Sequence, residues 1–120
     1  MGTFRDIPKI DVHSHFLTQS YVDAMEKYLG GNPDRFPMPE WSVEKHLQYN
    51  ESMGITHTVL SYSSPHINFS TREVNRTLAR IGNEEGAAVV ANNPGKFSFL
   101  ATLPLPNIED TLDEIAYACD

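Results

Sequence analysis

Three short apolar runs, each set between segments of helical period, constrain this chain more than any other feature of its sequence. In Lys9–His15, Ile10 and Val12 flank Asp11 and Pro8 stands just ahead, which favours a strand over a helix. From Tyr21 the apolar residues Val22, Met25, Tyr28 and Leu29 share one helical face, and Gly30-Gly31 supplies a left-handed exit. Pro33, Pro37 and Pro39 then break regular structure, so residues 30–40 are expected to form a long surface loop. Ser42 is placed to cap a second helix carrying Val43, Leu47 and Met53, and Gly54 is placed to end it. The β-branched run from Ile55 to Tyr62 predicts a second strand, stopped by Ser63-Ser64-Pro65. Ser70 and Glu73 stand in capping-box register before a helix with Val74, Leu78 and Ile81, expected to reach about Ala91. After the turn Asn93-Pro94-Gly95, the stretch from Phe97 to Leu103 predicts a third strand. A last helix begins near Asn107, with Ile108, Leu112, Ile115, Ala116 and Cys119 in helical period. Strands separated by helices imply an α/β fold with parallel pairing and right-handed crossovers.

Length and charge bound what such a fold can do. At 120 residues the chain is at most one domain, spanning 1–120, and it falls well short of the ~250 residues of a closed eight-stranded α/β barrel. Its net charge of −7, with basic residues scattered, weighs against a nucleic-acid partner. No apolar run approaches the ~18 residues that span a bilayer, and residues 1–10 lack the apolar core of a signal peptide. The expectation is a soluble cytoplasmic protein with no membrane partner. Cys119 is the single cysteine, so no internal disulfide forms, and it is read as a small core residue near a helix end. Glycine-rich phosphate loops are absent, which argues against a dinucleotide or P-loop site.

Chemistry concentrates in Asp11, His13 and His15. Alternate strand residues share one face about 6.6 Å apart, so imidazoles at i and i+2 can converge on one ion. The pair lies at the carboxyl end of a predicted parallel strand, where α/β proteins place their sites. On spacing and placement alone, a metal site and a structural or surface pair both remain open. Asp11 is expected on the same face, too far along the strand to reach the same ion, and is assigned a supporting or structural role. His66, in the loop after the second strand, is a candidate substrate contact set against an exposed loop histidine. His57 is expected to be packed and hydrogen-bonded, His46 to face solvent, and Trp41 to anchor its loop onto the next helix or to wall a pocket.

The stretch Ile10-Asp11-Val12-His13-Ser14-His15-Phe16 resembles the opening strand of the amidohydrolase superfamily of metal-dependent (β/α)8 barrels. Trp41 to Gly54 followed by Ile55–Ser61, then Asn93-Pro94-Gly95-Lys96-Phe97 and Thr102-Leu103-Pro104, resembles the branch of aminocarboxymuconate-semialdehyde and aromatic-acid decarboxylases. The likeness is collinear over nearly the whole chain. It implies three βα units of a partial TIM barrel, with His13 and His15 as ligands to a divalent metal, commonly zinc. It also implies that an activated water serves either decarboxylation of a small unsaturated or aromatic carboxylate, or hydrolysis of an amide, ester or lactone. Arg35 is a candidate for the substrate carboxylate, as related decarboxylases use an arginine in this loop. The family's remaining ligands follow its fifth, sixth and eighth strands, for which this sequence has no counterpart. Two imidazoles alone hold zinc weakly, so the isolated chain is expected to be inactive. An open three-stranded sheet is expected to self-associate as a homo-oligomer, to repack, or to be the truncated product of a longer gene. The competing readings are a non-enzymatic self-assembling α/β module and, ranked last because it leaves the histidine pair unexplained, a flavodoxin-like domain.

Overall fold

The computed structural model describes residues 6–120. Its elements are β1 (Lys9–His15), α1 (Gln19–Leu29), a 3-10 turn at Pro33–Arg35, α2 (Val43–Met53), β2 (Ile55–Ser61), α3 (Arg72–Asn92), β3 (Phe97–Phe99) and α4 (Ile108–Cys119). The three strands form one parallel sheet in the order β1-β2-β3, so the α/β class and parallel pairing hold. The helix limits follow local chemistry. Ser42 accepts a hydrogen bond from the Lys45 N–H, and Gly54 closes α2 at φ 68°, a left-handed conformation that glycine adopts without steric cost.

Two adjoining clusters make the core. Phe16, Leu60 and Phe97 are buried and packed against Trp41, Val43 and Leu47 and against Val89 and Val90 of α3. Tyr21, Met25, Ile67 and Ala79 fill the space between α1 and α3. Tyr62 joins them, its ring stacked on Phe16 and Tyr21 at centroid distances of 4.9 and 4.4 Å. Gly82 permits this approach: a Cβ there would lie 2.6 Å from the Tyr62 hydroxyl oxygen.

Several expectations are corrected. The cap of α3 is Thr71, whose hydroxyl accepts from the Val74 N–H, one residue later than the Ser70 box. The third strand stops at Phe99, because Leu100 makes a last bond to the Leu60 carbonyl and β2 itself ends at Ser61. His46 is buried rather than solvent-facing, and Cys119 is exposed rather than in the core. The second reversal reflects how α4 is seated. Its polar residues Asp110, Thr111 and Glu114 are buried, whereas Ile108 and Leu112 are 64% and 60% exposed.

Candidate active site

β1 departs from ideal alternation just where the histidines lie. Asp11 pairs with Thr58 and Ser14 with Leu60, so β1 spends one residue more than β2 across this interval, a β-bulge. Thr58 and Leu60 are buried on the side covered by helices, where the Asn50 amide of α2 donates to the Thr58 hydroxyl at 2.9 Å. Asp11 is therefore set on the α2 side. This corrects the expectation that it shares a face with the histidines. Its carboxylate accepts from the His13 backbone N–H at 3.0 Å, bracing the bulge.

His13 and His15 are exposed, with ring centroids 5.1 Å apart and planes at 84°. Two imidazoles sharing one tetrahedral ion at ~2.1 Å would have centroids roughly 5 Å apart, so the donor pair fits a divalent cation in type and spacing. Among the described residues, no cluster of three or more His, Cys, Asp or Glu could hold a metal ion. The structure brings the two expected ligands together, and among the described residues no third His, Cys, Asp or Glu joins them.

Beside His15 opens a cavity of about 470 Å³. Leu17, Tyr21, Phe36, Met38 and Trp41 give it apolar and aromatic walls, and Ser63 and Ser64 flank it. Its charged lining is acidic, from Asp34 and Glu40. Burial, and secondarily the nearby Asp34 carboxylate, push the Tyr21 phenol up to about 12, so it stays protonated and donates to the Ser63 carbonyl. Glu40 is ion-paired with Lys45 at 2.7 Å, which holds its carboxyl below the usual range.

Trp41 both lines the cavity and anchors its loop, donating its indole N–H to His46 Nδ1 at 3.1 Å. His46 must then carry its proton on Nε2, which faces the Ser14 hydroxyl at 3.4 Å. Burial lowers its pKa, with a smaller opposing pull from Asp11. His57 is packed and hydrogen-bonded as expected, to the Gly95 carbonyl and the Ser98 hydroxyl. His66 and Arg35 lie outside the cavity lining and are exposed. Sequence reasoning missed Tyr21, Phe36, Met38 and the two acids. The available signal was the interleaving of Phe36 and Met38 with the prolines that stiffen this loop.

No family model matches the chain. It is 34% identical over 116 residues to a 6-methylsalicylic acid decarboxylase of Aspergillus aculeatus, covering 93% of this chain and 34% of that protein. Among solved structures, a crystal structure of an amidohydrolase II is 34% identical with a TM-score of 0.87, over 92% of this chain and 36% of that one. The sequence matches the amidohydrolase superfamily. A dihydroxybenzoic acid decarboxylase of Polaromonas, solved with manganese and the inhibitor 2-nitroresorcinol, shares the fold at 23% identity, with a TM-score of 0.69 over 90% of this chain and 33% of that one. The chain spans about a third of the length of the curated superfamily relatives it matches.

Proposed function

We propose that the chain is the amino-terminal portion of an amidohydrolase-superfamily barrel whose reaction is the metal-dependent decarboxylation of a small aromatic carboxylate. The observation that carries this reading is the meeting of the His13–His15 pair with an aromatic-walled cavity that has His15 on its rim. His13 and His15 would hold the cation, with zinc favoured by their nitrogen donors, and Asp11 would steady His13 from behind through its backbone N–H. When bound, the cation supplies Lewis-acid polarisation of the substrate's oxygens.

The cavity's own residues would set the orientation. Tyr21, Phe36, Met38 and Trp41 enclose an aromatic ring and exclude water from it. Asp34 repels a carboxylate, turning that end of the substrate toward the histidines, while the charge of Glu40 is balanced by Lys45. The bond to the carboxylate carbon would then break, carbon dioxide would leave, and the electron pair left on the ring carbon would take a proton from water, releasing hydroxide. His66 and Arg35 remain proposed substrate contacts, conditional on movement of their loops toward the cavity. The chain's relatives among the 6-methylsalicylic acid decarboxylases support the aromatic-acid class. A homo-oligomer is proposed on the strength of the exposed apolar face of α4.

Calorimetric titration with zinc and with manganese tests the centre. One weakly held ion per chain is expected, lost on either His13→Ala or His15→Ala, and the absence of uptake by the unaltered chain even at a large excess of metal would overturn the metal reading. Trp41, the single tryptophan, reports the cavity. Its emission should change with 2,6-dihydroxybenzoate in the presence of the ion, and an unchanged spectrum at saturating metal would count against an aromatic-acid pocket.

A further inference from the structure

Each imidazole has two ring nitrogens, and for His15 the strand register selects between them. His15 stands opposite Ser61 on β2, and its Nδ1 lies 3.2 Å from the Ser61 carbonyl oxygen and 3.2 Å from the Ser61 hydroxyl oxygen. A carbonyl oxygen only accepts, so Nδ1 carries the proton and Nε2 keeps its lone pair. The same carbonyl also accepts from the Phe16 N–H at 3.2 Å, so it is shared, and the hydroxyl supplies the ring's second acceptor. His13 differs. Among the described residues, no hydrogen bond engages its ring nitrogens, and its constraint comes from the backbone through Asp11.

We propose that Ser61 is a positioning residue whose hydroxyl and carbonyl together hold His15 as the Nδ1–H tautomer and present Nε2 as the metal-binding atom. The inference rests on the metal reading of the His13–His15 pair and adds to it the group that orients one ligand. Residues that play this part in metal sites commonly change affinity by 10- to 100-fold when removed. Here the main-chain carbonyl survives substitution, so the lower end of that range applies.

The test uses the 120-residue chain and its Ser61→Ala and Ser61→Thr variants, with circular dichroism confirming the fold of each. Long-range 1H–15N correlation spectra of the metal-free protein should show His15 as the Nδ1–H form. Ser61→Ala should admit the second tautomer and weaken zinc binding about tenfold by calorimetry. Ser61→Thr, which keeps the hydroxyl and suits a strand, should restore both. An Nε2–H ring in the unaltered protein would overturn the proposal, as would a Ser61→Ala variant with unchanged tautomer and zinc affinity within twofold. Failure of the unaltered chain to take up zinc strikes instead at the metal reading beneath it, so the two failures are told apart.

Discussion

The two flanks of the sheet are fastened by opposite chemistry. Around β1, β2 and α2 the contacts are mainly apolar, with Phe16, Leu60 and Phe97 packed against Trp41 and Leu47; the buried Asn50–Thr58 bond and His46 are the polar exceptions, and His13 and His15 are exposed. At α4 the order is inverted. Arg72 clasps Asp110 at 2.7 Å, Arg80 meets Glu114 at 2.8 Å, the Asn83 amide donates to Glu114, and Arg80 lies over the Tyr117 ring at 3.5 Å. The apolar stripe of the same helix, Ile108, Leu112 and Ile115, is left exposed. A helix turned this way is held by directional, charge-dependent contacts, while the site-bearing flank rests mainly on burial that salt does not screen, with His46 as its buried titratable group.

The sharpest test of that contrast is Leu60→Ala. Removing a fully buried side chain from the first cluster should cost about 2–5 kcal/mol in urea unfolding, with little dependence on salt. Glu114→Ala strikes the other flank. Depriving Arg80, partly exposed, and one N–H of the Asn83 amide of their acceptor, while the bonds of Asn83 to Thr102 remain, should cost about 1–3 kcal/mol, seen first as faster amide exchange confined to α4. An equal loss of protection in β1 and β2 would mean that the flanks unfold as one.

The flanks should also separate by pH. His46 has a folded pKa below its ordinary 6.5, because burial disfavours the charged ring by more than the nearby Asp11 carboxylate favours it. The unfolded chain takes up that proton first, so this contribution is present above pH 6.5 and is lost as pH falls through the window beneath it. Asp110 is held below its ordinary 3.8 by Arg72, so the stability it adds is present above that value and disappears only as pH falls further. Exchange measured at pH 7, 5 and 3 should thus show weakening around α2 before α4, and His46→Gln should flatten the first step. The smallest effect on stability is expected from Leu112→Glu, within ±0.5 kcal/mol for an exposed position. By light scattering it should nonetheless lower the self-association of the chain, and an unaltered mass distribution would show that the stripe takes no part.

Much of this was legible in the sequence because local chemistry decided it. The limits of β1, the Ser42 cap and the Gly54 exit of α2, and the Asn107 start of α4 each depend on residues within a turn of one another. What escaped depends on contacts distant in sequence. The apolar period of α4 marks a face but not what lies against it, and buried carboxylates there require Arg72, Arg80 and Asn83 from α3. His46 reads as a surface residue until Ser14 and Phe97 are brought to it. The histidine pair was readable from its spacing, whereas Ser61 enters only through the pairing of β1 with β2.

The extra residue in β1 is what an engineer regularising this strand would delete, and with it would go the division of labour between Asp11 and His13. In a perfectly alternating strand the two side chains project together, and the carboxylate would compete for the same space as the imidazoles. As folded, the irregularity keeps acid and base on opposite sides of one sheet while a single hydrogen bond still joins them.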